Sequence, residues 1–370
     1  MKRAVFGKTH WGIFALVLAF AVTGCSESDT AVETADSVAQ SLSQEAVVLV
    51  GCDAEFQPVA DRVEGIVNRL RLRGAGLLIV QDGQTRCRQF FGNYDEETTV
   101  HLVSAAKWLS AATIMTLVDE GILSLDEPIS SFLPYYSGDR ESTTIRQLLS
   151  HTAGLPMYHD CMFQHSLTLD SCARQIASMP LDAAPGTEFR YSGTSYSVAG
   201  RVAEVVADKA WLLIFQEKMA TPLGLIQTNY GPTRNPILSE GYVVSTLDEY
   251  GIFLQMLMDG GVSQSGEQIL SAAAITELHG DQTANVAITF SPGGPNTSYG
   301  LGVWRSGFDE DGFAQRIASP GGGGFTPWID FERNIFGIFM IEDRIERVWE
   351  DVGAIRQKVA EIVDELNLGD

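Results

Sequence analysis

The sequence predicts an α+β fold, an α/β sandwich in which a mainly antiparallel sheet is flanked by helices and carries a large all-helical insertion. Three observations support that expectation. Strand-like segments gather at both ends of the chain, first between residues 75 and 91 and again from Tyr299 onward. Between them, from Thr144 to about Leu278, most apolar residues recur at helical spacing. The strand segments are short, and the first two are joined by Asp82-Gly83, a two-residue hairpin signal that makes neighbours antiparallel. The sheet region is expected at about 55–100 and 297–370, and the helical region at about 101–296.

The elements follow in order. Lys2, Arg3 and Lys8 precede an apolar run and then Thr23-Gly24-Cys25, the pattern of a bacterial export signal with a small-residue cleavage site. The run is shorter than the ~20 residues a bilayer span requires. A Cys directly after the cleavage site resembles a lipoprotein processing site, which implies loss of residues 1–24 and lipidation of Cys25. Ser26 resembles the sorting signal of an outer-membrane lipoprotein facing the periplasm. Residues 25–50 are rich in Ser, Thr, Asp, Glu and Ala, so they form a tether. The folded domain is 51–370.

Within it, Phe56, Val59, Val63, Ile66, Val67 and Leu70 mark an amphipathic helix over 56–72. The hairpin follows, then an apolar helix ending near Gly121, then turns through Pro128 and Pro134. TIRQLLSHT, SYSVAGRVAEVVADK, WLLIFQEKMATPLG and LDEYGIFLQMLMDG read as helices, and YGLGVWRSG, FAQRIASPG, TPWIDFE and IFGIFMIE as strands. A last helix over 345–366 presents Val348, Val352, Ile355, Val359, Ile362 and Val363 on one face, and should share a face of the sheet with the first.

Composition narrows the partners. The chain has 370 residues, 45% of them hydrophobic, enough for a sizeable core. Its formal charge is −22, from 25 basic and 47 acidic residues, and removing residues 1–24 deletes three basic residues and takes it to −25. Nucleic acid and anionic lipid demand Lys/Arg clusters that are missing here, so neither is an expected partner. Apart from Cys25 there are Cys52, Cys87, Cys161 and Cys172, an even number suited to an oxidising compartment. Three pairings are open. Cys161 with Cys172 closes a short loop, and Cys52 with Cys87 would tie the start of the domain to an early strand.

Ser104 and Lys107 form the one S-x-x-K in the chain. Residues three apart share a helix face, so the amine can reach the hydroxyl, and the helix N-terminus offers N–H groups to an oxyanion. Burial without a charged partner favours the neutral amine, the form a lysine base needs. The pair predicts a nucleophilic serine. Tyr191, just after the Pro185-Gly186 turn, is placed to relay a proton. Ser319-Pro320-Gly321-Gly322 ends a strand, where glycines let a substrate approach the backbone and receive an N–H.

Ser104-Ala105-Ala106-Lys107, then LLSHTAGLP at 148–156, Tyr191-Ser192-Gly193 and Ser319-Pro320-Gly321 appear in an order that resembles the serine β-lactamase and penicillin-binding protein superfamily, specifically its class C β-lactamase-like esterases and peptidases. The resemblance spans about residues 59–366. It implies a β-lactamase/transpeptidase-like fold, Ser104 as acylated nucleophile, Lys107 as base, Tyr191 as proton shuttle and the N–H groups of Ser104 and Gly322 as oxyanion hole. Gly193, Ser319 and Gly321 fall at substrate-binding positions. Two departures stand out: Gly193 replaces the family's Asn of Tyr-x-Asn, and Ser319-Pro320-Gly321 replaces Lys-Thr-Gly. Both point away from β-lactams and toward a small uncharged ester or amide. No cofactor and no metal is expected, since the spacing of His151, His159, Cys161, His165 and Cys172 fits no common zinc pattern. A monomer, tethered to the membrane only through Cys25, completes the expectation.

Overall fold

The computed structural model describes residues 50–239 and 242–368; the expected export signal, Cys25 and the expected tether up to residue 49 lie outside the described residues. Strand β1 (Gly51–Cys52) leads into helix α1 (Gln57–Leu70), whose Val59, Val63, Ile66 and Val67 are buried, as the sequence period requires. The hairpin of β2 (Gly74–Gln81) and β3 (Gln84–Gly92) turns at Asp82 and Gly83, with φ of 51° and 71°. Positive φ at both positions matches the right-handed twist of the flanking strands.

After β4 (Val100–His101) comes α2 (Ala106–Asp119), buried continuously from Ala106 to Leu117. A helix apolar on all sides belongs inside, and this one forms the axis of the helical region. Around it lie α3 (Ile145–Leu149), α4 (Leu169–Ala177), α5 (Thr194–Ala207), α6 (Trp211–Phe215), α7 (Thr221–Leu223), α8 (Leu247–Met258) and α9 (Ala272–His279). The region is not purely helical. β4 pairs antiparallel with β6 (Val244–Ser245), and β5 (Glu188–Arg190) pairs parallel with β7 (Ala287–Phe290). Strands of two to four residues are too short to show a period-two pattern, so the sequence reading passed over them.

The chain then returns to the main sheet through β8 (Ser298–Tyr299), β9 (Trp304–Phe308), β10 (Ala314–Ala318), β11 (Thr326–Asp330) and β12 (Ile335–Met340), and ends in α10 (Trp349–Asn367). The eight strands run β1-β3-β2-β12-β11-β10-β9-β8, all neighbours antiparallel. At its centre β2 bonds β12, with Leu78 opposite Ile338, so the two ends of the domain meet in one layer. One face packs on α1 and α10 through Phe56, Val63, Ile355 and Val359; the other packs on the helical region. Cys52 and Cys87 are bonded directly across β1 and β3, and Cys161 is bonded to Cys172, the two pairs expected.

Candidate active site

Ser104 lies in a single 3-10 turn, Val103–Ala105, immediately before α2. The residue ahead of it, Val103, has φ 49°, a left-handed conformation costly for a β-branched side chain. Neighbouring elements hold the turn in place: Leu102 N–H donates to Val243 (2.8 Å), the Tyr250 hydroxyl donates to the Ala105 carbonyl (2.9 Å), and the Ser319 hydroxyl to that of Ser104 (3.4 Å). The serine is thereby presented on a strained corner rather than within the helix.

Lys107 is fully buried, and among the described residues no carboxylate lies in ion-pair range of it. Its Nζ donates to Ser104 Oγ at 3.2 Å and to the Ser239 carbonyl at 2.8 Å. It also sits 4.6 Å from the ring centre of Tyr191 and 5.8 Å from that of Tyr196, where the π faces attract a cation. One turn along the same helix face, Ser110 donates to the Leu238 carbonyl (2.7 Å) and contacts the Tyr230 hydroxyl (2.8 Å). The segment carrying Ser239 is therefore fastened to α2 next to Lys107. Ser110 was detectable as a second polar residue three positions beyond Lys107; Ser239, which has no local signature, was not.

Tyr191 stacks on Trp304 (5.3 Å, 28°) and leans on His151 (4.4 Å), and its hydroxyl hydrogen-bonds neither Ser104 nor Lys107. The LLSHTAGLP segment explains its place. The His151 carbonyl accepts from Arg190 N–H (2.9 Å), His151 Nδ1 from Ser192 N–H (3.2 Å), and the Met157 carbonyl from Gly193 N–H (3.0 Å). The Pro156 carbonyl accepts from the Thr194 hydroxyl. Gly154 is required here: a Cβ would sit 1.9 Å from the Ala183 carbonyl oxygen. The motif is thus a scaffold for residues 190–194. Burial, and then the nearby Lys107 charge, push His151 well below the usual histidine range. Neutral, and accepting at Nδ1, it carries its proton on Nε2, which faces the Tyr299 hydroxyl at 3.3 Å.

The strand end after β10 closes the other side. Gly321 lies so near the nucleophile turn that a Cβ would meet the Leu102 oxygen at 2.1 Å, while one on Gly322 would lie 3.8 Å from Val103 Cγ1. Among the described residues, no backbone acceptor takes the N–H of Ser104 or Gly322, so both are free to donate. Ser319 is turned inward: it is buried, and its hydroxyl donates to the Gly302 (3.1 Å) and Ser104 carbonyls instead of facing the cleft. Trp304 stacks on Tyr191 at the site, whereas Phe325 packs on Tyr250 and Trp328 lies in the opposite core. Among the described residues no group of three or more His, Cys, Asp or Glu could hold a metal.

The family model for beta-lactamases matches residues 59–351, which covers the nucleophile turn, the tyrosine loop and the strand end. The chain belongs to the beta-lactamase family. A structure from Bacteroides dorei described as a "putative beta-lactamase" is 30% identical, with a TM-score of 0.75 over 84% of this chain and 99% of that one. EstCE1, described as a hydrolase with promiscuous acyltransferase activity, shares the fold at 21% identity and TM-score 0.68, over 83% of this chain and 98% of its own. Protein flp of Staphylococcus aureus is 26% identical over 194 residues, 48% of this chain and 39% of that protein. The chain thus spans about two fifths of the length of such curated relatives. Against the beta-lactamase pattern, the position of the usual Asn is Gly193, so the contacts of Lys107 are the Ser104 hydroxyl, the Ser239 carbonyl and aromatic faces, with no side-chain amide.

Proposed function

We propose that this protein is a serine hydrolase that forms a covalent acyl-enzyme at Ser104 and acts on small, uncharged esters, with amides as second choice. The observation that carries the reading is the buried Lys107 amine, 3.2 Å from the Ser104 hydroxyl and without a carboxylate partner. Lys107 Nζ serves as the base, taking the Ser104 proton as Oγ attacks the carbonyl carbon. The resulting oxyanion is held by the N–H groups of Ser104 and Gly322. As the C–O or C–N bond breaks, the proton passes to the departing alcohol or amine through Tyr191, whose ring already abuts the amine. Water then attacks the acyl-enzyme with the same groups acting in reverse, releasing the acid and free Ser104.

The uncharged-substrate preference rests on chemistry near the cleft. No lysine or arginine stands in Ser319-Pro320-Gly321, so a carboxylate finds no cation there. Met157 and Phe290 are half exposed, and their carbonyls are bonded to Gly193 and Tyr191, which puts apolar surface at the rim. Export and anchoring through a lipidated Cys25 remain part of the proposal.

A panel of p-nitrophenyl esters, D-amino-acid amides and nitrocefin tests it, run with wild type and Ser104→Ala. Turnover of esters by wild type alone, with a fluorophosphonate adduct on Ser104 by intact mass, is the expected result. Folded protein that neither turns over nor labels would identify a non-catalytic binder.

A further inference from the structure

On the sheet face opposite Ser104, between β9, β10, β11 and α10, lies a cavity of about 330 Å³ lined in part by Arg316, Arg356, Trp328 and Ser306. Two of its cations are unpaired. Neither guanidinium donates a hydrogen bond or forms an ion pair within 4.0 Å among the described residues. By contrast Arg88 is paired with Asp248, Arg305 with Asp281, and Arg140 donates to two carbonyls. In a chain with 47 acidic and 25 basic residues, two half-buried arginines without counter-ions are unexpected.

Asp330 and Arg333 line the same cavity, and although the Asp330 charge acts on Arg356, its hydrogen bonds go elsewhere. Asp330 faces Arg316 directly across β10 and β11, yet it accepts from Arg333 (3.1 Å), which also grips Asp364. The Arg316 guanidinium lies over Gly307, where a Cβ would sit 2.4 Å from Nη2; at φ 61° this position suits glycine. Arg356 reaches in from α10 with its Cζ 6.0 Å from the Trp328 ring centre. Burial, and then the Arg316 charge, lower the Arg356 pKa, so the two cations repel across a poorly solvated space.

We infer that this cavity is a binding site for a small organic oxyanion, a carboxylate or phosphate monoester, gripped between the guanidinium groups of Arg316 and Arg356. Planar forks on two elements suit bidentate oxyanion recognition, and the volume exceeds a bare head group, so it leaves room for an apolar body against Trp328 and Val359.

Binding of phenyl phosphate, benzoate and inorganic phosphate to the whole protein is measured by calorimetry at constant ionic strength, with benzyl alcohol as uncharged control. Saturable binding of phenyl phosphate or benzoate, at about millimolar Kd or tighter, is expected, and the better of the two identifies the head group. Arg316→Gln and Arg356→Gln should each weaken it by about tenfold, roughly 1.4 kcal/mol, and Ser104→Ala should leave it unchanged. Without ligand, both arginine variants should remain folded, since neither guanidinium loses a hydrogen bond or an ion pair and Arg356 gives up only its contact with the Trp328 ring. Absence of saturable binding to wild type, equal binding by the double arginine variant, or equal binding of benzyl alcohol would each overturn the assignment. Should the double variant not fold, the wild-type measurement and a phenyl phosphate soak of crystals decide alone: density elsewhere also overturns it.

Discussion

Gly321→Ala is the sharpest probe of the site, because its consequence follows from one distance. A methyl group at 321 would stand 2.1 Å from the Leu102 carbonyl oxygen, whereas ordinary contact begins at 3.4 Å, so strand end and nucleophile turn must part by about 1.3 Å. The obstacle is backbone and cannot rotate away. Overpacking of this kind costs about 1–3 kcal/mol of stability. The same displacement separates the N–H of Gly322 from that of Ser104, and a misplacement of about 1 Å in a catalytic constellation costs about 10²-fold in rate. Gly322→Ala serves as the comparison for stability alone. Its new methyl meets Val103 Cγ1 at 3.8 Å, ordinary contact, so the midpoint of urea unfolding should move by less than about 0.5 kcal/mol. Urea titration, paired with kcat/KM on a p-nitrophenyl ester and the rate of fluorophosphonate labelling, measures both effects. Equal stability of Gly321→Ala and wild type, with undiminished labelling, would refute the account of how strand end and nucleophile turn are registered.

Three further outcomes are expected. Lys107→Met should lower kcat/KM by about 10²–10⁴-fold while circular dichroism stays near wild type, and the urea midpoint should fall because the Ser239 carbonyl loses its donor, at a cost of about 1–3 kcal/mol; unchanged turnover would remove lysine from the chemistry. For acid stability, the unfolded His151 titrates near ~6.5 while the folded one is held well below by burial and Lys107, so the unfolded chain takes the proton first. The stability present above ~6.5 should be lost as pH falls toward the folded value, at up to about 1.4 kcal/mol per unit, and His151→Gln should flatten that slope in urea titrations at pH 7 and 5. Replacing Cys161 and Cys172 by Ser opens a loop of sequence separation 11 and should cost about 3 kcal/mol, read as a lower urea midpoint; no change would show that the unfolded chain is not constrained by that bond.

What could be read from the sequence was what local pattern encodes. Val59, Val63 and Ile66 set one face of α1, Asp82-Gly83 fixed the hairpin, and Ser104 with Lys107 marked the chemical centre because three-residue spacing on a helix forces proximity. The short loop favoured Cys161 with Cys172, but the cysteine count alone left three pairings open, and only the structure decides among them. The unread parts depend on contacts between distant segments. Ser239 meets Lys107 across 132 positions, and Ser319 spans 215 to reach Ser104; only its hydrogen bonds reveal that its hydroxyl faces inward. The segment before α4 and the segment between α7 and β6 are joined by Asn235 Nδ2, which donates to the Cys161 carbonyl at 2.7 Å, a closure no periodicity announces.

The pairing of β2 with β12 also bears on how the protein is made. Residues 74–81 pair with 84–92 at once but find their second neighbour only after 335–340 exist, so a partly synthesised chain has an incomplete sheet and lacks the strand end that flanks Ser104. Ribosome-bound intermediates should therefore remain open, protease-sensitive and unreactive toward acylating probes until nearly the whole polypeptide has emerged. Catalytic competence would then arrive late and all at once, after any translocation that requires an unfolded chain.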